Sequence, residues 1–207
     1  MTKLTKTTPE APLRTAPQQT RGQDRVKLIL EVAEDLLLSK GYEALSTNAI
    51  AAEAKISIGS LYHFFEDKVA ILEALITRYN EAQFEMLKVV HADKNVSLEA
   101  YVDSLLVALV KFSEVRPGLL IAFSHAVTAS PKFEKMETEF NQKLTAMMGA
   151  YYRQRNPKLT ERKASLVAWT VIVIAEGFLL ASYDRKRAIE RYREVKKATK
   201  RYLELYL

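Results

Sequence analysis

Residues Ser46–Lys68, STNAIAAEAKISIGSLYHFFEDK, decide the fold. They read as two short helices joined by a tight turn, with a third helix opening at the end. Over Asn48–Ala54 the residues Ile50, Ala51 and Ala54 fall on one face, the spacing of a buried helical stripe. Ser46 or Thr47 can cap that helix by accepting a free backbone N–H. Lys55-Ile56-Ser57 interrupts it. Ser57 can then cap a second helix, Ile58–Phe64, which buries Leu61 and Phe64 against the first. The alanines let the two axes approach closely. This is the packing of a helix-turn-helix, whose second helix is free to enter a DNA major groove.

The outward residues of the second helix suit that role. Ile58, Gly59 and Ser60 stand in its first turn, where base edges are met. Gly59 carries no Cβ, so backbone and groove can come close. Tyr62 and His63 lie one turn on, within reach of phosphate oxygens, as do the hydroxyls of Thr47 and Ser57. Asp67 can cap the next helix and so sets Lys68 at its positive end, a place suited to phosphate.

The stretch resembles the DNA-binding domain of the TetR family of bacterial transcriptional regulators, the TetR/AcrR type. The resemblance rests on Gly41-Tyr42-Glu43-Ala44 followed by Ser46-Thr47, on Ile50-Ala51-Ala52-Glu53-Ala54, on the run from Ser57 to Phe65, and on Asp67-Lys68. It covers residues 25 to about 75. It implies a homodimer on a palindromic double-stranded operator, usually as a repressor. It also implies a C-terminal domain that binds a small-molecule effector and pairs its last two helices with their mates. One residue departs from the pattern: Lys55 stands in the turn where the family usually has glycine. A non-glycine residue at positive φ costs roughly 1 kcal/mol. Either Lys55 accepts that conformation or the turn is built differently.

The chain has 207 residues, 48% of them hydrophobic, and a net charge of +6. The excess charge does not sit on the helix-turn-helix. Residues 1–75 hold nine lysines and arginines against ten aspartates and glutamates, a net of −1. The expectation of DNA binding therefore rests on the motif. There is no cysteine, which removes disulfides, thiol redox chemistry and cysteine-ligated zinc. His63, His91 and His125 stand far apart and form no metal-spaced cluster. No nucleophile–base pair appears at recognisable spacing, so no catalytic residue, metal or cofactor is expected. The apolar run Leu166–Ala181 is 16 residues long and contains Glu176, short of the roughly 20 that a membrane span needs. The N-terminus lacks the apolar core of a signal peptide. A soluble cytoplasmic protein is expected, with no membrane partner.

In domain terms the sequence predicts a disordered basic tail over 1–21, a helix-turn-helix domain over 22–70 and a helical effector and dimerisation domain over 71–207. The tail is rich in Thr, Pro and Gln, too poor in large apolar groups to order itself, and could serve as a basic arm in the minor groove. The first helix is expected over Asp24–Lys40, closed by Gly41 in a left-handed cap. A fourth helix starts near Asp67, and nothing between Leu72 and Val90 reads as a flexible linker, which permits motion to pass between domains. Five more helices follow: Ser97–Glu114, a short one to Val127, one opening at Ser130-Pro131 and stopped by Asn156-Pro157, Thr160–Tyr183, and Arg187–Leu207. The fold class is all-α.

The last two helices carry more apolar surface than one subunit can cover. Phe112, Phe123, Met147 and Trp169 are candidate effector-lining residues, and Glu176, a carboxylate in an apolar helix, is a candidate for a cationic or hydrogen-bonding effector. Each of them is also open to an ordinary core or dimer role. The alternative to a DNA-binding regulator is an all-helical dimeric adaptor whose helix-turn-helix no longer binds DNA; Lys55 and the near-neutral N-terminal charge are its support.

Overall fold

The computed structural model describes residues 20–115, 118–181 and 188–207. Over these residues the chain forms nine α-helices and no strand: α1 (Thr20–Lys40), α2 (Thr47–Glu53), α3 (Ile58–Phe64), α4 (Lys68–Val90), α5 (Leu98–Val115), α6 (Leu119–Ala129), α7 (Pro131–Arg155), α8 (Glu161–Ala181) and α9 (Ala188–Glu204). The chain divides into two compact units, Met1–Glu81 and Ala82–Leu207. The division falls inside α4, past the boundary at residue 70 read from the sequence. Its cause is the first half of α4, where Ile71, Leu72, Leu75 and Ile76 are buried as part of the first unit.

In the first unit α1 begins at Thr20, four residues before the expected start, so Thr20 and Arg21 belong to a helix and not to the tail. Gly22 weakens that turn by about 1 kcal/mol relative to alanine, and the helix runs through it. Residues 1–19 of the expected tail lie outside the described residues. Gly41 closes α1 at φ 78°, with its N–H on the Leu37 carbonyl at 3.0 Å, the left-handed cap the sequence predicts. Ile29, Ala33 and Leu37 of α1 are buried with Leu45, Ile50 and Leu61. Glu34 is 3% exposed, and its Oε2 accepts from Arg78 Nη2, which ties α1 to α4 through a buried carboxylate.

The second unit is built on α7 and α8, the helix pair with the most extensive packing. They come close at Gly149: a Cβ built there would lie 3.3 Å from the Ser165 backbone nitrogen. Ser130 caps α7 with Pro131 at its first position, and Asn156 ends it, as the sequence predicts. Val167, Ala168, Val171 and Ile172 of α8 are buried in one core with Tyr101 and Leu105 of α5 and Leu144 and Tyr152 of α7.

Among the described residues the longer exposed apolar stripe is on α8, while Ile189 near the start of α9 is also exposed. Leu166, Trp169, Val173 and Leu180 form a stripe along α8, each 40–52% exposed. Further along α9, Tyr192, Val195 and Tyr202 are partly buried against the core that holds Leu203. Two lysines of α9 pair with α5. Lys196 reaches Glu99 at 3.3 Å and Asp103 at 2.7 Å, and Lys200 reaches Glu99 at 2.5 Å.

By length and composition, Glu161–Leu180 could cross a bilayer: it is 20 residues long, longer than the run counted from the sequence, and an 18-residue window of it has a mean hydropathy of 1.7. Its 39% buried share is the inner face of the second unit's core.

Candidate nucleic-acid interface

The serine at the start of α2 settles which hydroxyl caps and which is free. Ser46 is the cap: its Oγ accepts from the Ala49 N–H at 3.1 Å. Thr47 becomes the first helical residue and turns its hydroxyl to that of Tyr62, 3.2 Å away. Two hydroxyls from two helices thus meet at the surface.

The turn between α2 and α3 is closed by backbone hydrogen bonds. Ile56 N–H reaches back to the Ala51 carbonyl at 3.0 Å, and Lys55 N–H to the Ala52 carbonyl at 3.2 Å. This paired pattern is a Schellman motif, which requires its penultimate residue to be left-handed. Lys55 meets the requirement with φ 53°, and among the described residues it is the non-glycine residue at positive φ. The turn is therefore built as a glycine would build it, with the steric cost accepted. Replacing Lys55 with glycine is expected to stabilise the protein by about 0.5–1 kcal/mol, after the larger unfolded-state entropy of glycine is set against the relieved contact. The midpoint of urea unfolding reads this directly, and a lower midpoint would mean that the lysine is not strained.

Ser57 caps α3 through Ser60 N–H at 3.1 Å. Leu61 and Phe64 are buried, which fixes the rotation of the helix about its axis. The opposite face is then outward: Ile58 is 38% exposed and Tyr62 41%, with Gly59 and His63 exposed and Ser60 half-buried. Nothing lies within 4 Å of a Cβ built on Gly59, so that side of the helix is open to a surface as close as a groove wall. His63 lays its ring edge-on to Phe64 at a centroid distance of 4.8 Å.

Asp67 caps α4 through Ala70 N–H at 2.8 Å. Lys68 follows as the first helical residue, and its Nζ lies 4.5 Å from the centroid of the Tyr42 ring. The sequence places Tyr42 beside the Gly41 cap, in the Gly41-Tyr42-Glu43-Ala44 motif. No local signal joins it to Lys68, because the two are brought together by the crossing of three helices.

All eight residues predicted to face DNA therefore belong to α2, α3, their caps and the start of α4. The five effector candidates are more dispersed. Phe112 on α5 is half-buried, Phe123 on α6 is buried, and Met147 on α7 packs on the core. Trp169 is on the outer stripe of α8, away from that core. Glu176 on α8 is half-buried, and burial first, then the Glu137 carboxylate, pushes its pKa up to about 7. No group of histidines and carboxylates with metal-ligand geometry occurs among the described residues.

The sequence pattern of the bacterial regulatory proteins of the tetR family matches residues 29–75, and that of the tetracyclin repressor-like C-terminal domain matches residues 97–207. The chain belongs to the TetR family. It is 39% identical over 62 residues to the uncharacterized HTH-type transcriptional regulator YuxN of Bacillus subtilis, a match covering 30% of this chain and 21% of YuxN. The chain thus spans about a fifth of that relative's length. It is 26% identical over 170 residues to the nucleoid occlusion factor SlmA of Sodalis glossinidius, covering 78% of this chain and 84% of SlmA. Among solved structures, Salmonella enterica GusR shares the fold with a TM-score of 0.74 at 20% identity, over 92% of this chain and 99% of GusR.

Proposed function

We propose that this TetR-family chain is a ligand-responsive repressor that binds a palindromic operator as a homodimer. The observation that carries the reading is the outward face of α3, with Ile58, Gly59 and Ser60 in its first turn and the Tyr62 hydroxyl and His63 a turn later, while Leu61 and Phe64 anchor the other side. Ile58, Gly59 and Ser60 read base edges. Thr47, Ser57, Tyr62, His63 and Lys68 hold phosphates. Two copies of α3 meet successive major grooves, ~34–36 Å apart or a multiple of it. The exposed stripe of α8 supplies the contact between subunits.

A small, partly apolar effector binds the second unit, where Phe112, Phe123 and Met147 offer apolar surface. Glu176, near half-protonated at neutral pH, offers either a hydrogen-bond donor or a charge. Trp169 is assigned to the subunit contact. The effector acts by binding the DNA-incompetent conformation more tightly, since only differential affinity shifts such an equilibrium. A cytoplasmic location accords with this role.

Selection of bound fragments from a random DNA pool tests the reading. Enrichment of an inverted repeat supports it. No enrichment by folded, dimeric protein, with or without added cell extract, would favour the adaptor reading instead. The likeness to SlmA supports a second possibility, that the DNA-bound chain is itself a nucleoid occlusion factor. Sites spread over the chromosome away from promoters would favour that.

With an operator in hand, the paired hydroxyls give a sharper expectation. Thr47→Val removes the partner of the Tyr62 hydroxyl. It is expected to weaken operator binding about two- to tenfold, as a lost neutral hydrogen bond does. Tyr62→Phe should do the same, and the double variant should be little worse than either. Additive losses in a binding titration would mean that the two hydroxyls act separately.

A further inference from the structure

Lys68 is in an unfavourable place for a cation. It opens α4, where the free backbone N–H groups make the helix end positive. Two acidic neighbours precede it, Glu66 and Asp67, yet among the described residues no carboxylate lies within ion-pairing distance of its ammonium. The Asp67 carboxylate is turned to the Ala70 N–H. What Lys68 has instead is the face of Tyr42, 4.5 Å from Nζ to ring centroid, well inside the ~6 Å over which a ring attracts an ammonium. The backbone that carries the ring is held in place. Gly41 turns the chain at φ 78°, and the Tyr42 carbonyl accepts the Leu45 N–H at 3.2 Å.

We propose that Tyr42 is a positioning residue for DNA binding, which holds the Lys68 ammonium in place for a phosphate without neutralising it. The inference rests on the proposed reading that Lys68 meets the DNA backbone. A carboxylate in the same place would fix the side chain equally well, but it would cancel the charge and compete with the phosphate. A ring face does neither. It covers one side of the ammonium and leaves N–H donors for the ligand. It also reduces the rotamer freedom that a long lysine side chain must give up on gripping a phosphate.

The test is titration of the full-length protein with random-sequence duplex DNA at several salt concentrations, for wild type, Lys68→Ala, Tyr42→Leu, Tyr42→Phe and the Lys68→Ala/Tyr42→Leu double variant. Lys68→Ala is expected to reduce the salt slope by about 1. Tyr42→Leu is expected to weaken binding about two- to fivefold, Tyr42→Phe to match wild type, and the double variant to be no weaker than Lys68→Ala. A Tyr42→Leu protein that binds as wild type does beside a weakened Lys68→Ala overturns the inference alone. An unchanged slope in Lys68→Ala removes the phosphate contact and the inference with it. Wild-type protein that binds no DNA removes the proposed function.

Proton NMR of the Lys68 side chain supplies a readout that does not depend on DNA or on the folding of Tyr42→Leu. Ring currents are expected to shift its terminal methylene upfield in wild type and Tyr42→Phe. An unshifted resonance in folded wild type overturns the inference.

Discussion

Trp169→Asp is expected to leave a folded monomer and to lower affinity for an inverted-repeat operator by roughly 10²–10⁴-fold. Trp169 belongs to the stripe of Leu166, Trp169, Val173 and Leu180, spaced by three, four and seven residues on one side of α8. The opposite side of α8 holds Val167, Ala168 and Val171 in the core, and Trp169 is not part of that core. A buried aromatic of this size contributes 150–250 Å² of contact. Replacing it with a carboxylate both removes that area and places a charge in the interface, and two-fold symmetry makes each change count twice. The loss at the DNA follows from geometry and not from any contact. Two linked recognition helices bind two half-sites at high effective concentration, and a monomer has only one. Because Trp169 is the chain's single tryptophan, its fluorescence reports the same event. Emission should shift red when the wild type is diluted through its dissociation range. A dimeric Trp169→Asp protein in sedimentation analysis would place the subunit contact elsewhere.

The two proposed surfaces differ in how far the sequence reveals them. The helix-turn-helix is legible almost to the residue: α3 spans the expected Ile58–Phe64, and Ser57 and Asp67 cap their helices as read. Those signals are local. A cap is a side-chain oxygen and an N–H two or three residues on, and both are written in one short stretch. The hydroxyl pair Thr47–Tyr62 and the ring–ammonium pair Tyr42–Lys68 are not legible, because 15 and 26 residues of chain separate the partners. Their meeting depends on how helices cross, which periodicity does not encode.

The same limit explains α9. Its apolar stripe is plain in the sequence, but whether the stripe faces its own subunit or another is decided by α5 and α8. Lys196 and Lys200 settle it by reaching Glu99 and Asp103 of α5. His91 is the third case: as one of three scattered histidines it looks featureless, yet it lies in a cluster with Tyr101 and Tyr151.

That cluster predicts acid sensitivity in the second unit. The Leu87 carbonyl can only accept, so His91 Nδ1, 2.7 Å away, carries a hydrogen. In the neutral ring Nε2 then accepts from the Tyr101 hydroxyl at 2.9 Å, and Tyr101 in turn accepts from Tyr152 at 3.0 Å. The chain of donors runs one way. A proton on Nε2 forces Tyr101 to reverse and leaves Tyr152 without its acceptor.

It also puts a charge in a largely buried place. From α5 and α7 the facing groups are Tyr101, Tyr151, Tyr152 and the Arg155 guanidinium, which donates to the Tyr151 hydroxyl at 2.9 Å. From the following turn comes Asp93, whose carboxylate accepts from the Asn95 N–H and whose carbonyl accepts from Tyr151. Burial accordingly holds the His91 pKa below its ordinary value, against a smaller opposing effect of the Leu87 hydrogen bond. The unfolded chain therefore binds the proton more readily than the folded one. The contribution of His91 is complete above the unfolded pKa of about 6.5 and is lost as pH falls below it toward the lower folded value. Glu176, whose pKa burial raises to about 7, takes up a proton on folding in the same window and acts in the opposite direction, so the His91 contribution is read as the difference between wild type and His91→Gln in urea midpoints from about pH 8 down to about pH 5. His91→Gln, which can still donate and accept but does not titrate, should be about 1–2 kcal/mol less stable at neutral pH, and that deficit should shrink as the pH falls. Parallel curves for the two proteins would mean that His91 does not set the acid response, and the one-way hydrogen-bond chain would have to be abandoned as its cause.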